Sequence, residues 1–121
     1  MILKKLFAAS RQESAEIDVD EARCRLDAGE ALLVDVREPD EWRAGHVAGA
    51  THIPLGTIAS RASALPKDRE ILVICRTGNR SALAQERLAQ AGFTNVINIE
   101  GGMTAWVEQG YPVITREEHG K

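Results

Sequence analysis

The chain has 121 residues, a formal net charge of −3 and two cysteines. This length suits one domain that buries its own core, and a mildly acidic chain with interspersed charges excludes an overall basic, nucleic-acid-binding protein. No apolar run is long enough for a transmembrane segment. Because Cys24 and Cys75 are most simply explained as free thiols of a reducing compartment, we predict a cytoplasmic protein.

Residues 1–15 are predicted to be an amino-terminal extension. Basic and apolar residues mix in its first nine positions, but the apolar run after Lys5 is too short for the core of a signal peptide. The folded domain is placed at residues 16–114, and residues 115–121 form a carboxyl-terminal tail.

Short strands and helices alternate in the first half of the domain. Asp18 and Glu21 have capping-box spacing, which predicts a helix from Val19 to Ala28 with Cys24 packed or half exposed on it. The other predicted elements are strands at Glu16-Ile17, Ala31 to Val36 and Ala50 to Ile53, and helices from Glu38-Pro39 to Gly45 and from Leu55 to Leu65.

The second half continues the alternation. Four consecutive aliphatic residues, Ile71 to Ile74, predict a strand buried on both faces of a parallel sheet. A helix follows from Asn79 to Gly92, then a strand from Asn95 to Ile99, a flexible turn at Gly101-Gly102, and a helix from Met103 to Gln109 with Trp106 in the core. The first of these helices should bury Ser81, Ala84, Leu88 and Ala91 and direct Gln85, Glu86 and Arg87 mostly outward. The predicted fold class is α/β, with a mostly parallel central sheet flanked by helices on both faces.

Cys75 stands where the central strand ends, at the sheet edge where ligands bind in open α/β folds. The charge of Arg76 and Arg80 and the start of the following helix favour a thiolate there. Gly78 can take a positive φ and so turn backbone amides inward as an anion nest. We therefore predict Cys75 as a nucleophile; the alternative is a small buried side chain beside solvated arginines. The predicted anion loop comprises Arg76, Thr77, Gly78, Asn79, Arg80 and Ser81.

Asp35 and Arg37 end a neighbouring predicted strand at the same sheet edge. We interpret them as an internal ion pair that supports the loop rather than as catalytic groups. His46 and His52 lack further ligands at metal-site spacing, so they are assigned to hydrogen bonds of a turn and a strand end, and no metal site is predicted.

The stretch from Ile71 to Ser81 resembles the active-site loop of rhodanese-type sulfurtransferases. Residues 33–42 and 45–54 are similar to the amino-terminal signature of that family, and residues 101–113 resemble its carboxyl-terminal one. Together these segments cover about residues 16–114 in the family's order. The resemblance implies a single-domain rhodanese with the rhodanese-like fold.

The resemblance also implies sulfur transfer through a persulfide on Cys75. Thiosulfate or a related donor would supply the sulfur, and cyanide, a thiol or a sulfur-carrier protein would accept it. Arg76 and Arg80 would hold the sulfonate end of the donor, and inward amides would stabilise the persulfide anion. No metal or organic cofactor is implied.

Two other functions remain open at this point. A non-catalytic or sulfur-carrier interaction module could use the same loop edge. A cysteine phosphatase is the other alternative, but the cell-cycle phosphatases that resemble rhodaneses have one more residue between Cys and Arg than the four that separate Cys75 from Arg80. A phosphatase would also need an acid, for which Glu38, Asp40 and Glu41 are the candidates.

Overall fold

The computed structural model describes residues 15–115 and shows a five-stranded sheet in the order β1-β5-β4-β2-β3. All four strand pairings are parallel, so every strand ends at the same edge. The strands are β1 (Glu16–Ile17), β2 (Ala31–Asp35), β3 (Thr51–His52), β4 (Glu70–Ile74) and β5 (Val96–Ile99). The predicted α/β class and parallel sheet are confirmed.

Within the described residues, four α-helices connect the strands and a fifth follows β5, and most of them begin and end near the residues that the sequence predicts. The Asp18 side chain accepts the Glu21 N–H at the start of the first helix, and Glu38 with Glu41 forms a capping box at the start of the second. The helices are α1 (Val19–Asp27), α2 (Pro39–Ala44), α3 (Ile58–Arg61), α4 (Asn79–Gln90) and α5 (Gly102–Glu108).

Two apolar layers cover the two faces of the sheet, which explains the uninterrupted apolar run of β4. Ile71, Val73 and Cys75 belong to the layer that includes α3 and α4, whereas Leu72 and Ile74 belong to the layer that includes α1 and α5. This alternation follows from the two-residue period of a strand. It directs the Cys75 side chain toward the face on which α4 packs. Trp106 is 3% exposed in the other layer, as predicted.

The helix predicted from Leu55 to Leu65 is wrong as one element. The structure has a 3₁₀ turn at Leu55–Thr57, then α3, then a second 3₁₀ turn at Ala62–Ala64. The Thr57 hydroxyl donates to the Pro54 carbonyl and the Ser60 hydroxyl to the Thr57 carbonyl. Such local bonds compete with the regular helix ladder.

Three side-chain predictions are also wrong. Gln85 is buried, because its amide donates to the carbonyls of Ala15 and Val96, both at 2.9 Å. Ala91 is exposed, and it is the C-cap residue that follows the end of α4 at Gln90. Cys24 is exposed on α1, because Val19 and Ala22 supply the buried stripe of that helix.

Among residues 15–115, no helix is both long and apolar enough to cross a membrane. The cytoplasmic location stays a prediction. Apart from residues 15 and 115, the predicted extension and tail lie outside the described residues, so the domain boundaries at 16 and 114 also stay predictions.

Candidate functional site

Cys75 lies at the carboxyl end of β4, beneath a loop that leads into α4. Its own exposed fraction is 1%, whereas Arg76, Thr77 and Asn79 are exposed. The sequence predicts a solvent-facing, arginine-rimmed loop, and the structure adds that the thiol is buried below the loop's exposed side chains.

Backbone amides of the loop face the Cys75 sulfur. The Gly78 N–H donates to Sγ at 3.0 Å, and the Ser81 Oγ lies 3.3 Å from Sγ. Gly78 has a φ of 111°, in the left-handed region that a side chain would disfavour. The predicted inward turn of the amides at Gly78 is therefore present.

The start of α5 binds the loop from the opposite side through backbone groups. The Met103 N–H donates to the Cys75 carbonyl at 2.8 Å, and the Thr104 N–H donates to the Arg76 carbonyl at 3.0 Å. Gly102 permits this approach, because a Cβ there would lie 2.3 Å from the Cys75 carbonyl oxygen. With these carbonyls bound by α5, the amides of the loop are left to face the sulfur.

The ionisation of Cys75 reflects two opposing effects. Burial alone raises the pKa of a thiol, but the Ser81 hydroxyl and the amides of Ser81, Gly78 and Thr77 act against it. The hydrogen bonds prevail, and the pKa of Cys75 lies below its ordinary value. A sulfur in this environment is a better nucleophile at neutral pH than an ordinary buried cysteine.

The two loop arginines differ in their partners. Arg80 makes a two-pronged ion pair with Glu41 of α2, with N–O distances of 2.7 and 2.9 Å. This pair lowers the pKa of Glu41 to about 2. Arg76 is exposed and has no ion-pair or hydrogen-bond partner for its guanidinium within residues 15–115. Arg76 is therefore the loop cation whose binding capacity is not already used.

Asp35 and Arg37 form the internal ion pair that the sequence predicts. The Arg37 Nη2 lies 2.8 Å from the Asp35 Oδ2, and the side chains are 8% and 0% exposed. Arg37 also donates to the Gly45 carbonyl at 2.8 Å. The pair thus joins the end of β2 to the end of α2.

The two histidines make hydrogen bonds to the backbone, as predicted. His46 Nδ1 lies 2.7 Å from the Trp42 carbonyl oxygen, and His52 Nε2 lies 2.8 Å from the Arg37 carbonyl oxygen. Both rings stack on Trp42. Within the described part of the chain, no three His, Cys, Asp or Glu side chains cluster as metal ligands would.

A groove of about 480 Å³ opens beside the loop. Arg76 and Thr104 lie along it, together with Arg37 and Glu41 from the end of β2 and from α2. The groove is thus continuous with the loop's exposed cation. Glu108 also lines the groove, so its charged side chains are two arginines and two glutamates.

The model of the rhodanese-like domain family matches residues 18–109. The chain belongs to the rhodanese-like family. A protein of Allochromatium vinosum named "Sulfurtransferase" is 40% identical over 103 residues, which cover 84% of this chain and 96% of that protein. The "Putative sulfur carrier protein YrkF" of Bacillus subtilis is 39% identical over 92 residues, 75% of this chain but only 50% of that protein.

A crystal structure of a rhodanese-related protein from Thermoplasma volcanium superposes with a TM-score of 0.77 at 36% identity, covering 83% of this chain and 97% of that one. The rhodanese-like fold predicted from the signature segments is thereby confirmed. Family membership supports sulfur transfer as the general chemistry of the domain.

The sequence did not indicate the part played by Gly102. The glycine pair was predicted only as a flexible turn, yet it lies against the carbonyls of the cysteine loop. Two glycines directly before a helix at the edge that carries the nucleophile were the available signal. Their spatial relation to the loop depends on the order of β4 and β5 in the sheet.

Proposed function

We propose that this domain moves a sulfane sulfur from thiosulfate, or a related anionic donor, to a thiophilic acceptor. The Cys75 thiolate attacks the outer sulfur, the S–S bond of thiosulfate breaks, and sulfite leaves with the electron pair. Cyanide or a thiolate then attacks the outer sulfur of the Cys75 persulfide and regenerates the thiolate. No step requires a metal or a redox cofactor.

The observation that carries this proposal is the short donor contact from the Gly78 amide to Sγ, at 3.0 Å, beside the Ser81 hydroxyl. The same donors that favour a thiolate can stabilise the anionic outer sulfur of a persulfide. Cys75 is the nucleophile, and the anion loop consists of Arg76, Thr77, Gly78, Asn79, Arg80 and Ser81.

The partners of the arginines refine their proposed roles. Arg76 is the guanidinium that binds the sulfonate end of the donor, because its charge is not paired within residues 15–115. Arg80 attracts the donor only through long-range electrostatics, because both of its Nη atoms bind Glu41. Asp35 and Arg37 support the loop edge without touching the reactants.

Intact mass spectrometry tests the covalent step. Incubation with thiosulfate should leave the protein one sulfur atom heavier, and cyanide should remove that atom. Cys24→Ser is the matched control, because Cys24 is exposed and should not be required for the gain. Cys75→Ser should show no gain, and a gain retained in that variant contradicts the proposal.

A sulfur-carrier role is the second candidate, and the name of the Bacillus subtilis relative favours it. In that case the donor is a persulfide of another protein or a small thiol, and the acceptor is a protein thiol. Loading from glutathione persulfide with no loading from thiosulfate would support the carrier. Partner capture that survives Cys75→Ala, without any sulfur uptake, would support a non-catalytic module.

Each of the three acids considered for the phosphatase alternative already has a partner in the structure. Glu41 is held as a carboxylate by Arg80, with a pKa of about 2. The Glu38 side chain accepts the Glu41 N–H in the capping box, and Asp40 pairs with Arg43 on the surface. Hydrolysis of an aryl phosphate without sulfur uptake would overturn the sulfurtransferase proposal in favour of this one.

A further inference from the structure

A buried asparagine on β5 stands behind the hydroxyl that contacts the Cys75 sulfur. Asn98 is 1% exposed, and its Oδ1 lies 2.5 Å from the Ser81 Oγ. Its Nδ2 donates to the Glu16 carboxylate and to the Gly78 carbonyl, each at 3.1 Å. Every polar atom of this side chain is thus within reach of the cysteine loop or of β1.

The orientation of the Asn98 amide follows from its neighbours. A carboxylate and a backbone carbonyl can only accept hydrogen bonds, so the NH₂ group must face Glu16 and Gly78. The Oδ1 atom must then face Ser81, where it can only accept. The Ser81 hydroxyl is therefore the donor in the contact between the two side chains.

Ser81 has one hydroxyl proton and two acceptors for it. The Asn98 Oδ1 is 2.5 Å away and the Cys75 Sγ is 3.3 Å away. While Cys75 is a thiol, its S–H can donate to the Ser81 oxygen and Ser81 can donate to Asn98. Once Cys75 is a thiolate, Ser81 can donate to the sulfur only by leaving the Asn98 carbonyl without that bond.

We propose that Asn98 is a positioning residue that competes with the Cys75 sulfur for the Ser81 proton and thereby limits ionisation of the sulfur. The inference rests on the proposed function, because it assigns a control of the same nucleophile. As a consequence, the Cys75 thiolate is less stable than it would be if the Ser81 hydroxyl had no acceptor other than the sulfur.

The charged groups around the sulfur are the same in the Ser81 and Ser81→Ala backgrounds that test this competition, and the loss of the Asn98 contact to Glu16 is common to both. Arg80 lies close enough for its pKa to be raised in part by Cys75, after the larger contribution of its hydrogen bond to Glu41. The charged groups that border the site from the packed elements are Arg76 of the loop, Arg80 of α4, Glu41 of α2, Asp35 and Arg37 at the end of β2, and Glu16 of β1.

A double-mutant cycle isolates the part of the effect of Asn98 on the Cys75 pKa that depends on Ser81. It is made in the Cys24→Ser protein, which leaves Cys75 as the single thiol. The four proteins carry Asn98 or Asn98→Leu, each with Ser81 or Ser81→Ala. The pKa of Cys75 is read from the ultraviolet absorbance of the thiolate and from the pH dependence of alkylation. Any loosening of the loop by the loss of the Gly78 contact affects both backgrounds and cancels in the cycle.

We expect Asn98→Leu to lower the pKa of Cys75 when residue 81 is serine, because the Ser81 hydroxyl can then donate to the sulfur. The change should be more negative than in the Ser81→Ala background by about one pKa unit, the size expected for one redirected hydrogen bond. Equal shifts in the two backgrounds would overturn the proposal, and so would a coupling of opposite sign. Asn98→Val, which suits a strand, provides the same cycle if the leucine variant does not fold.

The readout does not depend on sulfur transfer, so this inference and the proposed function can fail separately. If thiosulfate loads Cys75, the pH profile of loading should show the same coupling between Asn98 and Ser81. If no donor loads Cys75, the proposed function fails while the titration still decides the role of Asn98.

Discussion

The two sides of the cysteine loop are built in different ways. On the glycine side, defined by Gly101–Thr104, backbone N–H groups of α5 bind the loop's carbonyls. On the charged side, defined by Asp35, Arg37 and Glu41, ion pairs border the loop. Backbone contacts fix which way the amides point, whereas the ion pairs decide which charges remain available to a reactant. The loop therefore has its shape set by one side and its charge set by the other.

The charged side itself contains two unlike pairs. Asp35 and Arg37 are 0% and 8% exposed, whereas Glu41 and Arg80 are 28% and 31% exposed. A buried pair costs most when one member is removed, because the other charge is left without compensation. A partly exposed pair contributes little, because water replaces its partner. We therefore expect substitutions in these regions to differ in how much they lower the free energy of unfolding.

Breaking the buried pair should have the largest effect. Arg37→Met leaves the Asp35 carboxylate buried without its guanidinium, and we expect the free energy of unfolding to fall by about 3–5 kcal/mol. Arg43→Met is the matched control, since Arg43 pairs with an Asp40 that is 91% exposed. Urea denaturation measures both variants. Similar losses for the two would show that burial does not distinguish the charged side as argued.

A substitution on the glycine side should have the second-largest effect on the free energy of unfolding. Gly102→Ala forces a side chain into a positive φ and toward the Cys75 carbonyl, and we expect a loss of about 2–4 kcal/mol in the free energy of unfolding. Gly29→Ala is the control, because Gly29 also has a positive φ but no atom within 4 Å of its added Cβ. It should lose only about 1 kcal/mol.

Sulfur uptake separates the two glycines further. In Gly102→Ala, uptake from thiosulfate should fall under conditions where the protein remains folded, since the carbonyls that α5 binds belong to the reactive loop. Gly29→Ala should load normally. Normal loading of Gly102→Ala would mean that the loop keeps its shape without the close approach of α5.

The sequence predicts local features well where one short segment determines them. The run from Ile71 to Ile74 indicates a doubly buried strand, and Gly78 indicates an inward turn of amides. The partners of these segments come from elsewhere in the chain. Glu41 pairs with a residue 39 positions away, and Ser81 contacts an Asn98 that is 17 positions away. Nothing in the local pattern reveals that Arg80 is engaged while Arg76 is not.

The same limit explains the error at Gln85. Its place on the helix wheel predicts an outward side chain, but α4 packs with that position against β5. The buried amide then finds the Val96 and Ala15 carbonyls. A polar residue that can satisfy its hydrogen bonds inside a fold cannot be recognised as buried from hydrophobic periodicity.

Loss of the partly exposed pair of Glu41 and Arg80 should have the smallest effect on stability. That effect can be measured from the dependence of stability on acidic pH. The pKa of Glu41 is lowered from 4.5 to about 2 by Arg80. Its contribution to stability is therefore complete above pH 4.5 and is lost as the pH falls toward 2. Because solvent screens the pair, that contribution is about 1 kcal/mol or less. Urea midpoints of Glu41→Gln should fall less steeply with acid than those of the parent protein, and parallel midpoint curves would show that Arg80 does not hold Glu41 ionised in the folded state.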